Sequence, residues 1–223
     1  MTTRLYLARH GATPSTAEDR FSGGENVPLS EEGCSQAQRL AERIADYNIT
    51  AAYSSPLDRT MATANIIAQP HGVIPIPRVE LREITHGHWE GLSRAEVEEK
   101  FADEYAAWEA DPFTFAPKGG ESGIAVLARA LPVIREIVQN HKDQNILVVS
   151  HKATLRLILC SLLGIDARGY RDRLDQSPAS LNILDFKDAI HARLMLFNDI
   201  SHYANHPRRP QKHLSRWWDG ASE

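Results

Sequence analysis

Cysteine is scarce: the chain of 223 residues has two, Cys34 and Cys160. A chain of this length can bury a real core without cross-links, so a disulfide is not needed, although one bridge stays open. Both cysteines sit in helix-like patterns and read as small buried hydrophobes. Long apolar runs are also missing. No stretch reaches the roughly 20 residues that a membrane-spanning helix needs. The segment Met1-Thr2-Thr3-Arg4 enters the first strand with no signal-like apolar region, so the expected location is cytoplasmic with no membrane partner. Charge of one sign is not in excess: a net −4 gives no global field that would gather nucleic acid. Internal repeats and low-complexity tracts are absent as well. With 42% hydrophobic and 24% charged residues, the chain has the composition of an ordinary soluble globular protein.

What is present is an alternation of strand and helix patterns. Arg4 to Ala8 is a short apolar run of buried-strand type, and Asn145 to Val149 is a second. Ala51 to Ser54 is a shorter strand candidate, and Val73 to Val79, with prolines at 75 and 77, can only be an edge strand or extended segment. Helical spacing covers Ser30 to Tyr47, with Ser30 as N-cap, and Leu57 to Gln69. Ser93 and Glu96 form a capping box that starts a helix near Arg94. A long helix is expected from about Glu121 to Asn140, kinked at Pro132, and an apolar one up to Leu163, closed by Gly164. Leu181 to Phe186 and Ala192 to Phe197 resemble a hairpin about Lys187-Asp188, and the segment 102–120 reads as an excursion or lid. The alternation argues for an α/β fold, a three-layer α/β/α sandwich with helices on both faces of a sheet. One domain is expected over residues 1–205, followed by a C-terminal tail of 206–223.

The two buried-type strands end alike, in Arg9-His10-Gly11 and Ser150-His151-Lys152. As parallel neighbours they would put two imidazoles on one edge of the sheet, where open α/β sheets bind ligands. Arginine brings a planar fork that matches phosphate or carboxylate, and histidine a nitrogen able to act as nucleophile near neutral pH. A third strand end, Ser54-Ser55-Pro56, leads into a helix whose free N–H groups and Arg59 could face an anion. Glu83, His86, His88 and Glu90 lie close together, but without the ligand spacing of structural zinc or of the zincins, so no metal is expected.

Taken in order, Arg9-His10-Gly11, Ser55-Pro56-Leu57 with Arg59-Thr60 and Thr63-Ala64, Glu83 with Gly87-His88-Trp89-Glu90-Gly91, Gly120-Glu121-Ser122 and Ser150-His151 resemble the histidine phosphatase superfamily. The resemblance is to the branch of cofactor-dependent phosphoglycerate mutases and related phosphatases, from residue 4 to about 163. It implies one α/β domain with a central, mostly parallel sheet. It also implies His10 as the nucleophile that becomes phosphohistidine, Arg9, Arg59 and His151 as the cationic pocket for the phosphate, and Glu83 as proton donor and then base. Two guanidinium groups can neutralise the phosphate without a metal, and no cofactor is implied. Two positions depart from the family pattern. Thr16 stands where many relatives have asparagine, and Lys152 where many have glycine. Lys152 either adds positive charge near the substrate or points to solvent.

The loop after Glu83 resembles the phosphatase side, and more narrowly the metal-independent phosphoserine phosphatases, which carry a histidine at the position of His86. Leu196 to His202 parallels their C-terminal segment. His86 then either contacts the substrate's carboxylate or the bound anion, or only shapes the loop around Glu83. Ser22, Gly23, Glu25 and Asn26 lie in the loop after the first strand and are candidate substrate contacts. The expected activity is hydrolysis of a small phosphorylated metabolite, L-phosphoserine first. The alternatives are a phosphoglycerate mutase, a broad-specificity or sugar-phosphate phosphatase, and a non-catalytic phospho-ligand binder, for which Glu83 would have no use. The basic tail with Trp217-Trp218 is expected to fold over the domain or across a dimer rather than bind nucleic acid, and a homodimer is expected by analogy of fold.

Overall fold

Alternation along two strands sets the layers. In β1 (Thr3–Arg9), Leu5 and Leu7 enter one apolar cluster while Tyr6 and Ala8 enter another. β4 (Asn145–Ser150) divides in the same way, Ile146 and Val148 to the first cluster and Leu147 and Val149 to the second. A strand with both faces apolar must be covered twice, and here it is. The first cluster takes Val133, Ile134 and Ile137 from α5 (Gly123–Asn140) with Leu155, Ile158 and Leu159 from α6 (Lys152–Leu163). The second takes Leu40 and Ile44 from α1 (Glu31–Ile44) with Ala64 and Ile67 from α2 (Asp58–Ala68). This computed structural model describes residues 2–14 and 20–205. Thr16 and the tail of 206–223 lie outside the described residues.

The sheet has six strands in the order β3-β2-β4-β1-β5-β6. β2 (Ile49–Ser54) runs parallel to β4, β4 to β1, and β3 (Ile76–Pro77) to β2, while β5 (Leu181–Phe186) is antiparallel to both β1 and β6 (Ala192–Asp199). The result is the mostly parallel α/β/α sandwich expected. Register matters most for function: Arg9 pairs with Ser150 and Ser54 with Val149, so β1, β2 and β4 end together on one edge. The proline-bearing segment is a two-residue strand at the sheet's rim, as the missing N–H donors require.

Several local expectations need correction. Cys34 is only partly buried, because it lies off the apolar stripe of α1, whereas Cys160 is fully buried; both are free. α1 stops at Ile44 instead of reaching Tyr47, where short-range bonds from Ala45 N–H to Glu42 and from Tyr47 N–H to Ile44 tighten the chain. Pro132 lies inside α5, as the sequence placed it. Its side is exposed, so the carbonyl left without an N–H partner can face water. The excursion is more structured than its composition suggests. Within it α4 (Ala102–Ala110) buries Tyr105 and Trp108 against Phe21 and Trp89, joined by Val97 of α3 (Arg94–Lys100), the helix that the Ser93–Glu96 capping box led to expect. α7 (Tyr170–Arg173) follows a short turn after α6 and leads to the segment 174–180. Among the described residues, no helix is long and apolar enough to cross a membrane.

Candidate active site

Parallel pairing of β1 and β4 carries His10 and His151 to the same edge, and His10 N–H donates to the Ser150 carbonyl at 3.0 Å. The two rings meet edge-on with centroids 5.2 Å apart, and both are buried. His10 Nδ1 lies 2.7 Å from the Gly11 carbonyl oxygen. A carbonyl can only accept, so Nδ1 carries the proton and Nε2 keeps its lone pair. Burial first, then the positive charges of Arg9 and Arg59, push the His10 pKa well below its ordinary value, which keeps the ring neutral. Gly11 is required here for closeness: a Cβ would stand 2.4 Å from the Gly33 carbonyl oxygen, and its N–H is held by Thr63 Oγ1.

His151 is wholly buried; its Nε2 shares a hydrogen bond of 2.8 Å with Ser55 Oγ, while Nδ1 has no partner. Burial, followed by His10, Arg59 and Arg9, holds it neutral as well. Arg59 stands in the first turn of α2, buried, with Nη1 donating to the Glu25 carbonyl at 2.6 Å and Nη2 to the Gly23 carbonyl at 3.0 Å. α2 has no cap of its own, and Asn26 Oδ1 supplies one by accepting from Asp58 N–H at 2.7 Å. Arg9 donates through Nη1 to the Gln176 carbonyl at 2.7 Å; its Nε is buried without an acceptor. Burial lowers its pKa to about 10, with Asp175 and Glu83 opposing. Two guanidinium groups and two imidazoles thus share one edge with one acid, Glu83, whose charge is felt at both arginines.

Glu83 is held by its neighbours at the start of α6. Oε1 accepts from the N–H groups of Ile84 (3.0 Å) and Thr154 (3.1 Å), and Oε2 accepts from Ala153 N–H at 3.1 Å. His151, at the N-cap of α6, caps nothing with its side chain, so Glu83 satisfies the orphan donors instead. Thr154 Oγ1 also donates to Oε1 at 3.1 Å, so Oε2 has the fewer partners. Behind it, Arg129 of α5 donates to the carbonyls of Glu80, Arg82 and Glu83 and forms a two-bond pair with Glu121 at 2.8 and 2.9 Å.

The remaining candidates are placed less directly. Ser22 is exposed, and Gly23 contributes a carbonyl to Arg59; its α-carbon packs so near the Ile84 carbonyl that a Cβ would lie 1.9 Å from it. His86 is buried edge-on against Phe21, with centroids 5.0 Å apart, its Nδ1 unpartnered and its pKa lowered by burial. Lys152 does not point freely to solvent: Nζ pairs with Asp175 Oδ1 at 2.8 Å. The sequence argument missed what holds Arg9. Gln176 and Asn182 exchange two amide hydrogen bonds at 3.0 and 2.7 Å, Ser180 Oγ joins them, and all three are wholly buried. Three polar residues within seven positions just before and inside an apolar strand were the signal available. Among the described residues, no group of three or more His, Cys, Asp or Glu is placed to hold a metal ion.

Residues 5–200 match the histidine phosphatase superfamily (branch 1). This chain belongs to that superfamily. Within it, the chain is 35% identical to phosphoserine phosphatase 1 of Hydrogenobacter thermophilus, over 73% of this chain and 77% of that protein. It is 32% identical to the adenosylcobalamin/alpha-ribazole phosphatase of Escherichia coli, over 78% and 86% of the two. Among solved structures, YhfR of Bacillus stearothermophilus superposes with a TM-score of 0.83 at 28% identity, covering 90% of this chain and 98% of that one. The alpha-ribazole phosphatase of Shigella flexneri does so with a TM-score of 0.81 at 28% identity, covering 88% and 96%. Superfamily membership and relatives that are phosphatases make this chain a histidine phosphatase superfamily phosphatase.

Proposed function

We propose that this phosphatase hydrolyses small phosphate monoesters through a phosphohistidine on His10, with L-phosphoserine as first substrate and no metal required. The observation that carries the proposal is the Nδ1–H of His10 fixed on the Gly11 carbonyl, which leaves Nε2 as a neutral nucleophile. Nε2 attacks phosphorus, the ester P–O bond breaks, and Glu83 Oε2 gives its proton to the departing alkoxide. Water then attacks phosphorus while Glu83 takes its proton; the new P–O bond forms, the P–N bond breaks with its electron pair returning to Nε2, and phosphate and free His10 are released. Arg9 and Arg59 neutralise the equatorial oxygens throughout, and His151, itself neutral, offers them a ring N–H, since positioning and charge do most of the work in phosphoryl transfer.

Support for phosphoserine comes from the resemblance of the Glu83–Gly91 loop and from a phosphoserine phosphatase among the relatives. A second reading, a phosphatase of larger phosphorylated glycosides, is favoured by alpha-ribazole and glucosyl-3-phosphoglycerate phosphatases among them. Phosphate release from L-phosphoserine, 3- and 2-phosphoglycerate, a sugar phosphate and p-nitrophenyl phosphate, with EDTA present, tests the proposal. Wild type should favour phosphoserine; His10→Ala should lose at least about 10³-fold in kcat. Glu83→Gln should lose about 10²- to 10⁴-fold in kcat while still binding phosphate. Even, slow release across the panel would remove the phosphoserine claim, conversion of 3- into 2-phosphoglycerate would mean a mutase, and an active His10→Ala would overturn the nucleophile.

A further inference from the structure

Beside the phosphate pocket lies an excess of positive charge that the chemistry above does not use. Lys152 opens α6 directly after His151, and Arg156 stands one turn further on the same helix. Both reach a single oxygen: Asp175 Oδ1 is 2.8 Å from Lys152 Nζ and 2.9 Å from Arg156 Nη2. Asp175 precedes Gln176, whose carbonyl holds Arg9. Two cations therefore share one carboxylate oxygen, and a third, Arg9, is held by the next residue along. Arg156 is nine-tenths buried, and the Nε atoms of both Arg9 and Arg156 are buried with no acceptor. Buried guanidinium donors without acceptors are costly, and an incoming anion would satisfy the charge that Asp175 leaves over. Burial first, then Arg156 and Arg9, push the Lys152 pKa down to about 8, with Asp175 opposing.

We propose that Lys152, backed by Arg156, receives a carboxylate carried by the substrate, so that the preferred esters are phosphomonoesters bearing a carboxylate near the phosphate. The inference rests on the phosphatase reading of the His10 edge and narrows its substrate class. The spacing of the two cations already suits a carboxylate, since they bind one in Asp175. Lys152 acts here as a specificity-determining residue; the bond-breaking steps do not involve it.

Two matched pairs of esters isolate the carboxylate: L-phosphoserine against phosphoethanolamine, and 3-phosphoglycerate against glycerol 3-phosphate. Wild type should prefer the carboxylated member of each pair by about 10-fold or more in kcat/KM. Lys152→Met should raise KM for the carboxylated members about 10- to 100-fold, with kcat within about 3-fold and the members that lack the carboxylate nearly unchanged. Lys152→Arg should keep the preference. If Lys152 only clasps α6 to the segment before β5, Lys152→Met will slow both members of each pair alike, and the proposal falls. Equal use of both members by wild type would also overturn it. Release of no phosphate from any of the four esters by wild type would instead sink the phosphatase reading itself.

Discussion

At the scale of single residues, the site is held by hydrogen bonds that choose protonation states. His10 gets its tautomer from a backbone carbonyl, which no side-chain substitution can remove. His151 depends on Ser55, the one hydrogen-bond partner of its ring among the described residues. Ser55→Ala removes that partner and little volume, so the fold should lose only about 1 kcal/mol, while the freed imidazole loses its fixed orientation toward the phosphate. We expect kcat to fall about 10-fold with KM changed less, and Ser55→Thr to restore part of it. Steady-state kinetics beside urea unfolding would check this; a kcat unchanged in Ser55→Ala would mean that His151 is positioned by packing alone.

At the scale of elements, strand ends supply the reactive side chains and helix starts supply the restraints. α6 gives His151 at its cap and two N–H groups that grip Glu83; α5 reaches across with Arg129 to tie the 80–85 segment to Glu121. Arg129 is mostly buried, and lysine can replace its charge but not its fork. Arg129→Lys should cost about 2–4 kcal/mol of stability and at least about 10-fold in kcat through a loosened Glu83, as read by thermal melts and turnover. Full turnover in a destabilised variant would confine the clamp to a structural role. The same contrast explains what the sequence made legible. Arg9, His10, Arg59, Glu83 and His151 fall in short motifs at recognisable strand and helix ends, so both their placement and the sandwich could be anticipated. Arg129, Gln176 and Asn182 act across 46, 167 and 175 residues respectively. Contacts that long leave no local spacing to detect. α4 escaped for another reason: its aromatic residues serve a side cluster rather than the main apolar stripes.

At the scale of the whole molecule, the strand-end site carries a set of buried imidazoles. His10, His86 and His151 all have pKa values lowered first by burial, and His71 and His202, the latter to about 4, shift in the same sense. In the unfolded chain each would bind a proton near its ordinary value of about 6.5. Below that pH, and until the depressed folded values are reached, the unfolded state holds more protons than the folded one. Stability must therefore rise with pH across this window and fall as pH drops below about 6.5. Each proton taken up on unfolding contributes about 1.4 kcal/mol per pH unit, so the three edge histidines together set a slope of about 4 kcal/mol per unit at most. The depressed carboxylates, Glu121 and Asp199 among them, act in the same direction, but only once the pH nears their lower unfolded values. Urea midpoints should accordingly be flat near pH 7.5 and decline steeply between pH 6.5 and 5. His86→Phe removes one of the protons from the balance without touching the pair at the strand ends, so it should reduce that decline by about a fifth to a third. A midpoint that stays level down to pH 5 would mean that the edge opens to water and lets its histidines charge while folded.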